Sequence, residues 1–313
     1  MNRNNFKHIK IYTTAVLMTW FFLSACESKI KAPPDTVKSG TIHISVDESF
    51  KPVIEEQIKV FEKSYPGTAI IAHYKTEADC FKDFYRDTNN RMIIVTRGLT
   101  AEEDEYFKDS LYYLPHWDNI ANDAITVIVN SKSNDTLFTI DRLKKQLSGL
   151  SNRDQTVVFD GLNATSTVRY ALDSILRGQK FDTGVVKAVK SSQEVIDYVA
   201  ENVNAIGFVG ISWIGNPEDS AQVTMLKKVK IAYVSCNVCD GSPFVKPMQV
   251  SILTRRYPLV RGLYYILKEN YNGLGTGFVN FMKYERGQLI FKRAYLGARM
   301  GFGIRSVKIN EKL

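Results

Sequence analysis

Three hydroxyl residues in a row, Thr165, Ser166 and Thr167, stand where a strand should give way to a helix. Val157, Val158 and Phe159 before them read as the end of a buried strand, and Asp160, Gly161, Leu162 and Asn163 as a turn. Beyond them Val168, Ala171, Leu172, Ile175 and Leu176 recur at helical spacing as one apolar face, closed by Arg177 and Gly178. Hydroxyls and free backbone N–H groups therefore collect at the positive end of a helix dipole, chemistry suited to holding an anion. The same residues also fit a plainer role, with Thr165 or Asn163 acting as an N-cap.

Two other turns carry the same feature. Ser49 follows the strand pattern of Ile42, Ile44 and Val46, and Thr96 follows Met92 to Val95. In open α/β sheets, ligands sit at the carboxyl ends of strands, so hydroxyls gathered there could wrap a small anion. Arg97 has two roles open to it: a bidentate oxyanion contact, or a salt bridge to the acidic residues at 102 to 105. Arg169, one turn into the helix, could reach a ligand, but its spacing to Asp173 favours a pair on the helix face.

Other chemistries find little support. Cys236 and Cys239 have metal or redox spacing, but His8, His43, His73 and His116 offer no companion pair for zinc. The turn Asp240-Gly241-Ser242-Pro243 follows where a thioredoxin-type motif needs a helix, which leaves a local disulfide or two inert thiols. Cys80 reads as a lone buried thiol. Gly273-Leu274-Gly275-Thr276-Gly277 is a weak match to a dinucleotide loop, because a helix-like stretch from Arg261 to Lys268 precedes it. No Walker A, HExxH or G-x-S-x-G pattern is present, so a catalytic role is not expected. Capture of an anion needs neither metal nor cofactor.

The elements that must position these turns alternate. Strand, turn and helix succeed one another through Glu77 to Arg86, a capping box at Thr100 and Glu103, and a long strand from Ile120 to Asn130. Further expected elements are a helix near Ile140, a helix from Gln193 to Val199 and a buried strand from Ala205 to Val209. Helices are expected again over Gly277 to Met282 and Leu289 to Leu296, with Gly287-Gln288 between them. This order argues for an α/β fold with a mainly parallel sheet.

The chain has 313 residues and a formal charge of +8, and taking off Arg3, Lys7 and Lys10 leaves +5. That mild excess suits an anionic ligand or a membrane surface and argues against nucleic acid. The basic stretch Arg3 to Lys10 and the apolar run Ile11 to Leu23 read as a signal peptide, and Leu23-Ser24-Ala25-Cys26 resembles the bacterial lipobox, which is favoured over an uncleaved signal anchor or a plain secretory signal with a chance cysteine. Residues 1–25 are thus expected to be removed and Cys26 to carry lipid. Residues 26–40, with Pro33-Pro34, read as a flexible tether on the periplasmic or cell-surface side of a bacterial membrane.

Ser49-Phe50, MIIVTRGLT, DAITVIVN, NATST, AIGFVG, YPLVRGLYYIL and GFVNFMKYERGQLI, in this order, resemble the phosphate-binding proteins of bacterial ABC phosphate importers. The resemblance spans about Gly40 to Leu296. It implies a two-lobed periplasmic-binding-protein fold (type II), each lobe a mainly parallel sheet flanked by helices, closing over one anion. Lobe one would comprise 41–122 and 247–313, and lobe two 123–246, with two crossings. The ligand would be held by hydroxyls of Ser49, Thr96, Thr165 and Thr167, backbone N–H groups of Phe50 and Ser166, and Arg97, with Asn163 in the third turn. The family has acidic residues where this chain has Arg97 and Asn163. Such acceptors favour a protonated phosphate over sulfate, and Asp123 and Asp160 lie nearby in sequence. The implied function is a monomeric, lipid-anchored solute-binding protein that delivers an oxyanion, phosphate first, to an ABC permease. The rival is a membrane-tethered sensor or interaction module on the same fold.

Overall fold

The computed structural model describes residues 35–151, 153–161 and 165–301. Strand β1 (Gly40–Asp47) runs into a 3-10 turn at Glu48–Phe50 and then α1 (Lys51–Ser64), with Pro52 in its first turn. β2 (Thr68–Lys75), α2 (Glu77–Arg86), β3 (Asn90–Val95) and α3 (Ala101–Leu111) continue the alternation. Thr100 and Glu103 close the expected capping box on α3. β4 (His116–Asn130) begins at His116 rather than at the predicted Ile120.

The chain continues through β5 (Leu137–Phe138), α4 (Ile140–Leu147), β6 (Thr156–Phe159), α5 (Ser166–Tyr170) and β7 (Val186–Ala188). Next come α6 (Ser192–Glu201), β8 (Ala205–Gly210), α7 (Ser220–Met225), β9 (Val229–Ile231), β10 (Tyr233–Ser235) and β11 (Phe244–Val245). It closes with α8 (Gln249–Leu253), β12 (Val260–Leu267), α9 (Leu274–Lys283), α10 (Glu285–Arg293) and β13 (Gly297–Ala298).

Strand order is β2-β1-β3-β12-β4-β8-β6-β7, with β13 and β9 also bonded to β4. β1 is parallel to β2 and β3, and β6 is parallel to β7 and β8. β12 runs antiparallel to both β3 and β4, and β4 is antiparallel to β8 as well, while β11, β10 and β5 form a separate small sheet. The partner of β4 changes within one peptide: Ala124 pairs with Val260, and Ile125 pairs with Gly210. Two α/β halves therefore share one long strand, the two-lobed architecture expected.

Three expectations about local structure are corrected. The stretch expected as a helix from Arg261 to Lys268 is strand as far as Leu267. Val260, Leu263, Tyr265, Ile266 and Leu267 are all buried: β3 and β4 pair with the two edges of β12, and its two faces pack into separate parts of the core, Leu263, Tyr265 and Leu267 on one side and Ile266 on the other. A strand covered on both faces loses its period of two and leaves an apolar run that reads equally well as helix. The last helix runs through Gly287-Gln288, and the break falls at Tyr284 instead. The helix after Thr165 is regular only to Tyr170, then widens into a π turn over Ala171–Ile175, where Leu176 N donates to Ala171 O at 2.9 Å.

The core follows the strands. Val157, Val158 and Phe159 are fully enclosed, and the Phe159 ring stacks on Phe208 of the neighbouring β8 at 4.8 Å. Cys236 and Cys239 form a disulfide, and Cys80 is a buried free thiol. The glycine-rich run at Gly273 does follow a strand, β12, and opens α9. Its N-terminal N–H groups are already engaged: Leu274 N donates to Asp35 at 2.7 Å, and Gly275 N and Thr276 N donate to Glu269 at 2.8 Å. Two internal carboxylates stand where a phosphate would need to be. Among the described residues no helix is long and apolar enough to cross a membrane.

Candidate functional site

The carboxyl end of β1 and the start of α5 meet. Asp47 accepts from Ser49 N at 3.0 Å and tightens the chain into its turn, which drives the Ser49 side chain inward until it is fully buried. Ser49 Oγ then lies 3.3 Å from Ser166 Oγ and 3.4 Å from Thr167 Oγ1. Gly210, at the end of β8, permits this approach, since a Cβ there would stand 3.0 Å from the Ser49 carbonyl oxygen. Ser212, just beyond, donates its hydroxyl to that same carbonyl at 3.2 Å.

Into this group of three hydroxyls comes a cation absent from the expected set. Arg261, buried on β12, donates through Nη1 to Ser166 Oγ at 2.8 Å and approaches Thr167 Oγ1 at 3.4 Å. Its Nε donates to Asp123 Oδ2 at 2.8 Å, and its guanidinium lies 5.2 Å over the Phe50 ring. Nη2 is buried and has no hydrogen-bond partner among the described residues. Burial lowers the pKa of Arg261, but Asp123 and Asp47 outweigh it and raise the pKa, so the side chain stays cationic. A fixed guanidinium with an unused N–H edge beside three hydroxyls is suited to bind an oxyanion.

Carboxylates surround that cation. Asp47, Asp123 and Asp160 are all buried. Burial pushes the Asp47 carboxyl up to about 6 against the pull of Arg261, and Glu77 pushes in the same direction as burial. Asp160 is likewise raised by burial. Glu48, next to the turn, is pushed up to about 7 by burial, with Ser192 opposing and the Asp160 charge reinforcing. The site thus contains proton acceptors, including Asp123 and Asp160, which sequence alone did not place.

The expected residues divide into groups. Ser49, Ser166 and Thr167 converge, and the Phe50 ring forms a wall against Arg261. Thr165 stands behind them: its hydroxyl donates to Asp160 Oδ1 at 2.9 Å and accepts from Val168 N at 3.3 Å, so it has no donor left for a ligand. That is the capping role, the plainer of the two that the sequence left open. Gly161, at a φ of +156°, sets this turn, and a Cβ there would press within 2.8 Å of the Thr165 methyl.

Thr96 is tied to Glu77 of α2, which accepts from its backbone N at 3.0 Å and also from its hydroxyl. Arg97 faces elsewhere. It holds Glu103 with contacts of 2.6 and 3.0 Å and lies 3.9 Å over the Phe81 ring, which is the salt-bridge alternative. Burial would raise the Glu103 carboxyl, but Arg97 and Thr100 N bring it down to about 2, so the pair is fully charged. Arg169 keeps a contact to Asp173 at 3.6 Å, while its shorter bonds go to Glu77 and Thr96. Asn163 and Cys26 lie outside the described residues.

Arg261, Asp47 and Glu77 were missed by sequence reasoning. Arg261 left one signal, a lone cation inside the apolar run VRGLYYIL. In a strand closed on both faces, such a residue must have a buried partner.

The sequence profile of the PBP superfamily domain matches residues 31–285. None of the curated protein sequences compared matches the chain. Among solved structures, one described as a candidate phosphate ABC transporter substrate-binding protein with bound phosphate, from Clostridium perfringens, is similar with a TM-score of 0.68. The two share 20% identity over 83% of this chain and 100% of that one. An ABC-type phosphate transport receptor from Vibrio cholerae gives 0.58 at 18% identity, over 82% and 99% of the two chains. The regulatory domain of Synechocystis CcmR, in complex with 2-PG, gives 0.52 at 12% identity, over 78% and 96%. At these identities the likeness is one of fold. The profile match, which runs over most of the chain, and the two α/β halves hung on β4 agree: this chain belongs to the PBP superfamily.

Proposed function

We propose that the chain is a solute-binding protein that captures an oxyanion, phosphate first, and presents it to an ABC permease. The observation that carries this reading is the convergence of Ser49, Ser166 and Thr167 on Arg261, whose buried Nη2 remains available as a donor. Asp47, Asp123 and Asp160 favour a ligand that brings a proton, since fully ionised sulfate would meet only repulsion from them. The Clostridium perfringens structure, described with bound phosphate, supports the same ligand class. The lobes of this reading are 41–122 with 247–313, and 123–246, linked by β4 and by a second crossing near 246. In this reading the protein is a monomer, and Cys26 would carry lipid and hold it on the periplasmic or cell-surface side of a bacterial membrane.

The rival reading is a tethered sensor or interaction module. It is favoured by the likeness to a regulatory domain and by the three buried carboxylates that surround the single buried Arg261. Calorimetric titration with phosphate and then sulfate, after anions have been stripped in mild denaturant, separates the two. The chain should begin at Glu27, because truncation at residue 40 would remove Asp35 from the start of α9. Phosphate heat with none from sulfate supports capture; heat from neither leaves the sensor or interaction module.

A further inference from the structure

Residue Glu77 is held by donors from both halves of the molecule. Its Oε1 accepts from Thr96 N at 3.0 Å, from the Thr96 hydroxyl and from Arg169 Nη2 at 3.2 Å. Its Oε2 accepts from Arg169 Nε at 2.7 Å. Glu77 and Thr96 belong to the half built on β1, β2 and β3, and Arg169 comes from α5, behind β6 in the other half. Arg169 Nη2 also donates to Thr96 Oγ1 at 2.6 Å, so the three residues close a ring.

A backbone N–H, a hydroxyl and a guanidinium fork are a donor set suited to an oxyanion. Here they are saturated by the two oxygens of a residue that is 4% exposed. Burial alone would raise the Glu77 carboxyl, but the bonds from Arg169 and Thr96 outweigh it and hold the group below its ordinary range, ionised.

We propose that Glu77 is a resident counter-anion, a built-in carboxylate that latches the two halves together with no ligand bound. A second clasp points the same way. Glu48, beside Ser49, accepts from Ser192 Oγ at 2.7 Å and from Ser192 N at 3.2 Å, at the first turn of the ten-residue α6. In both clasps a carboxyl group of the first half holds donors of the second, with Glu77 supplying the fixed charge and Glu48 hydrogen bonds alone. A cleft that closes only around its ligand relies on that ligand for the bridging charge. This chain supplies the charge itself, so the closed form is the resting form and a ligand gains entry by opening it.

The inference stands apart from the phosphate reading, because it is tested with no ligand present. Small-angle X-ray scattering of the anion-stripped chain from Glu27 onward gives its radius of gyration, for comparison with that of the closed structure. Agreement is expected for the wild type, and a larger radius for Arg169→Met and for Glu77→Gln, each checked for folding by circular dichroism. An anion-free wild type as extended as these variants would overturn the latch, as would folded variants as compact as the wild type. If both variants fail to fold, the wild-type radius decides: agreement with the closed structure supports the latch, and a larger value ends it. Loss of phosphate heat in the calorimeter would end the capture reading and leave this result untouched.

Discussion

Arg261 and Asp123 are register partners on neighbouring strands, and Nε of the first donates to Oδ2 of the second at 2.8 Å with both side chains buried. Removing one member of such a pair leaves an uncompensated buried charge. Arg261→Met is therefore expected to cost ~3–5 kcal/mol in denaturant unfolding, and adding Asp123→Asn should recover part of that loss. Phosphate heat should be absent from both variants. Full phosphate binding by the double variant would show that Arg261 serves the fold alone.

The hydroxyls should separate by role. Ser49→Ala and Ser166→Ala each remove a group facing Arg261, and affinity should fall roughly 10- to 100-fold for each, the effect of losing a hydrogen bond to a charged ligand. Thr165→Ala removes a helix cap, at about 1 kcal/mol of stability, and affinity should stay within threefold or so. Titration alongside thermal melting checks the division. The reverse pattern, with Thr165→Ala the weaker binder, would return the ligand to the cap.

Arg97 gives the contrasting result. Its guanidinium is engaged by Glu103 and by the Phe81 face, with a third of its side chain exposed. Arg97→Met should lower stability by less than about 2 kcal/mol, the combined range of a half-exposed pair and a cation–π contact. Phosphate affinity should not change. A large loss of affinity would mean that the side chain swings into the site.

Glu48 makes stability depend on pH. Its carboxyl is pushed up to about 7 from 4.5, so between those values the folded chain holds a proton that the unfolded chain has released. Stability from this group is fully present below about 4.5 and is lost as pH rises through about 7. Melting temperatures of wild type and Glu48→Gln should therefore draw apart between pH 5 and pH 8, with the variant gaining relative to wild type as pH rises. Parallel curves would place Glu48 in solvent.

Much of the fold was legible because its outer elements are amphipathic. Helices α1, α2 and α6 bury one face each, and the caps of α2, α3, α4 and α6 at Thr76, Thr100, Thr139 and Ser191 all bond as their residue types suggest. Legibility failed at the centre. β12 packs into the core on both faces, so its pattern carries length but no period, and the cation it brings to the site was hidden with it. The hydroxyl turns could be read locally, since each lies between a strand and a helix. Which of them meet was decided by contacts far apart in sequence, such as Ser49 with Ser166, and those depend on how β4 passes from one half to the other.

Asp35 fixes one more quantity. It caps α9 and reaches toward Arg91 and Tyr271, so the folded body takes hold of the chain at residue 35. A lipid on Cys26 would then leave nine Cα–Cα steps of leash, about 30 Å at full stretch. A body so tethered would sample only a thin shell above the bilayer. It could serve a permease moored beside it, and could not forage across the width of an envelope.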